Sequence, residues 1–186
     1  MNYCPECGAR VELRIPEGED RPRHVCPACA TIHYQNPKLV VGSLPVSGER
    51  ILLCRRAIDP RRNSWTLPAG WLENGETVTA CALRETCEEA WATVTDLQAY
   101  TLVNLPHINQ LYLILRARLV NQDFRPGPES LEVRLFSLTE IPWDNLAFSA
   151  IEQTLRLYCQ DQLRGEFPFR ILDDEPSPQP VLPPQR

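Results

Sequence analysis

Two groups of residues in this 186-residue chain have the types and spacing to hold cations. Cys4-Pro-Glu-Cys7 and Cys26-Pro-Ala-Cys29 are C-x2-C knuckles separated by 18 residues. Two intervening residues let one tight turn present both thiolates to one ion, and a second turn beside it completes a tetrahedron of sulfurs. Four thiolates close the shell to water, so Zn²⁺ held by Cys4, Cys7, Cys26 and Cys29 is structural. The second group is Glu85, Glu88 and Glu89, which on a helix fall at i, i+3 and i+4 and share one face. Unshielded, three such carboxylates repel one another. A hard divalent cation reverses the sign, because oxygen ligands suit Mg²⁺ or Mn²⁺. Arg84 adjoins Glu85 and can orient a carboxylate from the side, and Gly70 and Gly75 let backbone approach a ligand closely.

The elements that must position these groups follow from periodicity. Residues 39–46 and 50–56 read as strands joined at Ser47-Gly48-Glu49, a hairpin. Residues 77–89 read as the helix that carries the glutamates, and residues 94–103, 110–119 and 132–138 as further strands. Residues 146–163 place Leu146, Ile151, Leu155, Tyr158 and Cys159 at helical spacing. From about residue 171 the chain reads Asp-Asp-Glu and then a run rich in proline, which is expected to be a disordered tail. The expected organisation is a metal-binding unit over residues 1–36, a main domain over 37–165, and a C-terminal extension over 166–186.

Composition narrows the function classes. The formal charge is −5, and residues 1–35 balance four arginines against five acidic residues, so no basic face for phosphate backbones is present and nucleic acid is disfavoured. No apolar run approaches a membrane span, and the first residues lack the charged and apolar segments of a signal peptide, so a cytoplasmic location is expected. In that compartment disulfides are rare, and Cys54, Cys81, Cys87 and Cys159 read as small core hydrophobes. His24 and His33 flank the second knuckle and read as bystanders. All basic residues except Lys38 and the three histidines are arginine.

The run from Gly70 to Ala92 resembles the Nudix box, G-x5-E-x7-R-E-U-x-E-E-x-G-U with U a bulky apolar residue. Gly70, Glu76, Arg84, Glu85, Glu88 and Glu89 match it. Thr86 and Ala92 stand where the motif has bulky apolar residues, and Trp91 stands where it has a glycine that permits the turn out of the helix. The resemblance implies an α/β fold, a Nudix α/β/α sandwich with a mixed β-sheet, preceded here by a small β zinc ribbon. A Cys4 ribbon ahead of this domain is similar to the NADH pyrophosphatase layout, although the Ser-Gln-Pro-Trp-Pro-Phe-Pro motif of that group is absent. Arg14-Ile15-Pro16-Glu17-Gly18, Tyr34-Gln35-Asn36-Pro37-Lys38, residues 65–70 and residues 126–132 resemble instead a subgroup that includes a plant FAD pyrophosphatase.

The resemblance implies metal-dependent hydrolysis of the pyrophosphate bond of a nucleoside diphosphate derivative, with FAD, NAD(H) or ADP-ribose as substrate and a nucleoside monophosphate as product. Glu85, Glu88 and Glu89 would hold Mg²⁺ or Mn²⁺, with Arg84 and Glu76 positioning the helix. A glutamate outside the box often serves as a further ligand or base in the family; Glu129 is the first choice and Glu132 the second. The base is then Glu89, Glu85 or Glu129. Arg55, Arg56, Arg61 and Arg62 precede the box and are candidates for substrate phosphates. Gly70 allows close approach, and Trp65, Tyr112 or Phe148 are candidates to stack on a ring. The expected partner is a small dinucleotide or nucleotide-sugar-like substrate, and a homodimer is compatible with a family in which many members pair. The competing reading is a zinc-ribbon nucleic-acid-binding or adaptor protein with a vestigial Nudix domain; the intact glutamates speak against it.

Overall fold

The computed structural model describes residues 1–120 and 122–174. The chain divides into two units, Met1–Asn36 and a second that begins at Pro37. The first is a three-stranded antiparallel sheet of β1 (Glu12–Arg14), β2 (Arg23–Val25) and β3 (Ile32–His33), in that order. Its buried apolar residues are Cys4, Val25 and Cys26. The two knuckles are built alike: Cys4 O accepts from Gly8 N at 2.9 Å and Cys26 O from Ala30 N at 2.9 Å. Gly8 and Ala30 both take positive φ, 76° and 61°, to close the turn.

The second unit is a mixed sheet. Its strands are β4 (Lys38–Ser47), β5 (Arg50–Arg56), the short β6 (Trp65–Thr66) and β7 (Ala69–Trp71), then β8 (Val94–Leu105), β9 (Gln110–Leu119), β10 (Ser130–Ser137) and β11 (Arg170–Asp173). The order is β10-β5-β4-β9-β8-β11, with β6 on β5 and β7 on β4; β4 with β9 and β8 with β11 are parallel, the other pairs antiparallel. Helix α1 (Val78–Ala90) and helix α2 (Ser149–Arg164) cover opposite faces, because successive strand residues point to opposite sides. Val40, Leu44, Ile51 and Leu53 pack with Ala150, Ile151, Leu155 and Tyr158 of α2. Val41 packs with Cys81 and Ala82 of α1, Leu52 and Cys54 cluster with Ala90 at its end, and Ser43 Oγ lies 2.6 Å from Thr86 Oγ1. The expected α/β/α sandwich with a small β ribbon is the observed architecture. Thr86 occupies an apolar position of the box because its hydroxyl has this buried partner and bonds Ala82 O as well. Among the described residues, no helix is long and apolar enough to cross a membrane.

Two expectations about the C-terminal part are corrected. Helix α2 begins at Ser149, not Leu146, since Leu146 bridges in parallel to Trp65 and holds the preceding chain extended. The chain also continues to build the fold beyond residue 165: β11 adds a parallel edge strand, Arg170 to Asp173 beside Thr101 to Asn104. The proline-rich segment itself lies outside the described residues. β11 is fastened by Arg170, whose guanidinium donates to both carboxylate oxygens of buried Asp161 at 2.6 and 2.7 Å, while Tyr100 Oη donates to Oδ2 at 2.7 Å. Burial alone would push the Asp161 carboxyl up, but the guanidinium and the phenol outweigh it and hold it below its ordinary value. Arg170→Ala therefore strips a buried carboxylate of its cation, and a loss of about 3–5 kcal/mol is expected in chemical denaturation. A loss under about 1 kcal/mol would mean the pair is effectively solvent-screened.

Candidate active site

Helix α1 starts cleanly because the Thr77 hydroxyl accepts from Ala80 N at 3.1 Å, a side-chain N-cap. Its C-terminal half carries the glutamates. Glu85 and Glu89 are 8% and 6% exposed, whereas Glu88 faces solvent. Arg84 is the hub. It donates to Glu76 Oε1 and Oε2 at 2.9 Å each, to Glu85 Oε1 at 2.5 Å, to Glu88 Oε2 at 3.0 Å and to Trp71 O at 3.1 Å. One guanidinium thus ties the loop before the helix to two of the three helix carboxylates. A Cβ at Gly70 would overlap the Glu85 carboxylate, so the box glycine leaves that carboxylate room to sit where it does. Ala69 N donates to Glu89 Oε2 at 3.3 Å.

The electrostatics divide these acids. Hydrogen bonding to Arg84 holds Glu76 down at about 2. Burial pushes Glu89 up to about 8, with the charges of Glu85 and Glu129 adding to it, and burial raises Glu85 against the pull of Arg84. Buried carboxylates that resist ionisation are suited to a divalent cation, which reverses that penalty.

Glu85, Glu88, Glu89, Arg84 and Glu129 line one cavity of about 1150 Å³, and Arg56, Gly70, Tyr112 and Phe148 line it as well. Its far end follows from the sheet: Val40 is paired with both Tyr112 and Trp71, and Lys38 with Gln110, so the β8–β9 connection sits beside the box loop. Arg56 is braced, with Nε donating to Pro60 O at 2.8 Å and its guanidinium 5.1 Å from the Phe148 ring centre. Lys38 Nζ sits 5.2 Å from the centre of the Trp71 ring, and Trp71 lines the cavity.

Four candidates lie elsewhere. Arg55 pairs with Glu132 at 3.2 Å, and neither is among the cavity-lining residues. Adjacent strand residues point to opposite faces, which separates Arg55 from Arg56. Trp65 packs edge-on against Phe136 at 4.8 Å in the core. Arg62 is also not among the lining residues, whereas Arg61 is. Sequence reasoning passed over Asp59, Trp71, His107 and Gln110, which line the cavity from turns and strand ends. A histidine in the turn between two strands was the available signal for His107.

Trp91 takes the αL conformation of the box glycine it replaces, φ 50° and ψ 28°, with its N–H donating to Cys87 O at 2.8 Å. The turn out of the helix is therefore made without glycine, at a backbone cost of roughly 1–2 kcal/mol.

In the ribbon, the four cysteine sulfurs lie within 4.8 Å of one another, the group of potential ligands that closes this tightly among the described residues. Sγ–Sγ distances of 3.7 Å (Cys4–Cys29) and 3.4 Å (Cys7–Cys26) approach the roughly 3.8 Å edge of a tetrahedron with Zn–S bonds of about 2.3 Å. His33 Nε2 lies 3.3 Å from Cys4 Sγ, in the place of an outer partner to a ligand. The Thr31 hydroxyl draws the Cys29 thiol down while the neighbouring cysteines push Cys7 up, so the four thiols hold their protons unequally.

Comparison with known proteins matches residues 36–157 to the NUDIX domain and residues 2–35 to the zinc ribbon described as Nudix N-terminal. The chain belongs to the Nudix hydrolase family. Nudix hydrolases use divalent metals, and the ribbon of this one has the four cysteines of a metal knuckle pair. The NAD-capped RNA hydrolase NudC of Stutzerimonas stutzeri is 28% identical over 97% of this chain and 60% of its own length. The mitochondrial NAD(P)H pyrophosphatase of Homo sapiens is 30% identical over 90% of this chain and 45% of its own. This Nudix hydrolase thus spans about half of the length of such curated relatives. A NUDIX hydrolase from Nitrosomonas europaea superposes with a TM-score of 0.88 at 50% identity, covering 94% of this chain and 100% of that one.

Proposed function

We propose that this Nudix hydrolase cleaves the diphosphate linkage of a dinucleotide, with the NAD(H) class first and ADP-ribose and FAD as further candidates. The reading rests on one observation: two buried carboxylates form a wall of a large cavity that also presents Arg56, Tyr112 and Phe148. In this reading Glu85, Glu88, Glu89 and Glu129 hold Mg²⁺ or Mn²⁺, and Cys4, Cys7, Cys26 and Cys29 hold a structural Zn²⁺. A divalent cation there supplies charge neutralisation of the diphosphate and an activated water. The chain's own groups do the rest. Arg84 aims the carboxylates, Arg56 and Arg61 offer donors to phosphate oxygens, and Tyr112 and Phe148 present apolar ring surface to a base. Water adds to one phosphorus, the bridging P–O bond breaks, and two monophosphates leave. The names of the relatives bring NADH and NAD-capped RNA into the panel.

The test is a panel of NADH, NAD⁺, ADP-ribose, FAD and NAD-capped RNA with Mg²⁺ and with Mn²⁺, products resolved by chromatography. From NADH or NAD⁺ the expected outcome is AMP together with the reduced or oxidised nicotinamide mononucleotide. No turnover of any of them, combined with steeply salt-dependent RNA binding, would support the adaptor reading instead.

A further inference from the structure

The last carbonyls of a helix lack intrahelical partners and are usually capped by the chain that follows. In α1 that arrangement is shared with a distant loop. Trp91 N and Ala92 N return to Cys87 O and Thr86 O, but Ala90 O accepts from Arg125 N at 2.9 Å and Glu89 O from Gly127 N at 3.0 Å. The Arg125 guanidinium lies 4.2 Å from the centre of the Trp91 ring, so the side chain at the glycine position of the box becomes a seat for the loop. Ser130 N donates to Gly127 O at 3.0 Å and Ala57 N to Glu129 O at 2.8 Å, which fixes the turn holding Glu129 from both sides. No side chain fits at Gly127, where a Cβ would overlap the carbonyl of Glu88.

We propose that residues 125–128 form a strap that registers Glu129 against Glu85 and Glu89, with Gly127 and the Trp91–Arg125 stack as its positioning elements. One of the strap's two backbone acceptors is Glu89 itself, so the carboxylates of the helix and the loop are referred to the same turn of backbone. The strap is made where this chain departs from the Nudix box, with Arg125 packed on the ring of Trp91. The proposal rests on Glu129 being a cation ligand.

The experiment is direct Mn²⁺ binding to the full chain, read by electron paramagnetic resonance of the free ion, for wild type, Gly127→Ala, Arg125→Ala, Glu129→Gln and the double variants with Glu129→Gln. Gly127→Ala is expected to weaken Mn²⁺ binding on the order of 10-fold, as for other groups that orient a ligand. Arg125→Ala, which introduces no overlap, should shift it the same way by less. In the Glu129→Gln background both effects should vanish. If the Gly127→Ala protein does not fold, as judged by its thermal melt, the Arg125→Ala cycle decides. Losses that multiply with that of Glu129→Gln, or single strap variants with unaltered binding beside a weakened Glu129→Gln, would overturn the strap and leave Glu129 as a ligand. Unaltered binding in Glu129→Gln would remove the ligand assignment, and the strap with it.

Discussion

Glu89→Gln should lower kcat by more than about 100-fold while making the metal-free protein more stable at pH 8. The first effect exceeds the 10–100-fold typical of an outer-shell partner because, on the proposed function, a ligand itself is lost. The second follows from linkage. Glu89 is pushed from an ordinary 4.5 to about 8 by burial. Between those two pH values the native protein holds a proton that the unfolded chain has released. Stability therefore falls as pH rises across that window, and the fall is complete above about 8. The glutamine cannot ionise, so its protein loses this slope, and its amide oxygen still accepts the Ala69 N–H. Below pH 4.5 the two proteins should melt alike. Glu76 acts in a separate window: held at about 2, it adds stability above pH 4.5 that disappears as pH falls toward 2. Thermal melts in chelator at pH 5, 6.5 and 8, beside turnover of NADH, measure both halves. Wild-type turnover would dismiss the metal-helix assignment, and parallel melting curves would mean that Glu89 is not held in an apolar setting.

Cys26→Ser is expected to abolish zinc and unfold residues 1–36 while the second unit keeps its melting transition. A unit of this size falls in the range where metals or disulfides replace a core. Here the buried apolar set is Val25 and two of the cysteines, Cys4 and Cys26, so apolar burial alone cannot offset the entropy of ordering the chain. Metal binding then is the folding free energy, of order 10–16 kcal/mol in comparable zinc peptides. Elemental analysis should fall from one zinc per chain to none, and protease should cut within the first 36 residues. A variant that keeps the ribbon protected from protease without zinc would show that the sheet is self-sufficient.

The parts of the molecule legible in the sequence are those in which chemistry is local. The knuckle spacing, the glutamate spacing on α1 and the apolar runs of β4, β5 and β9 each lie within a short window. The fold class followed from the resemblance of residues 70–92 to the Nudix box. Glu85 and Glu89 differ from Glu88 in burial, however, and that difference depends on Ala69 and Gly70, which periodicity does not place against the helix. Arg55 and Arg56 are indistinguishable in sequence; the pleat sends one to Glu132 and leaves the other at the cavity. Trp65 offers the same ring as any stacking residue, and only its neighbour Phe136 assigns it to the core. The role of Arg170 was invisible for a similar reason. Its partner Asp161 is one helix end away, and its strand joins β8, which lies far back in the chain.

Lys38 has one more consequence. It is the one lysine of the sequence, exposed at the start of β4, with its ammonium over the Trp71 ring at the cavity. Amine-reactive dyes applied to this protein will therefore report from two places, the chain's N-terminal amine and the edge of the cavity. With the α-amine blocked or discriminated by pH, a lysine-directed fluorophore becomes a single-site optical sensor of cavity occupancy, with indole quenching as its signal.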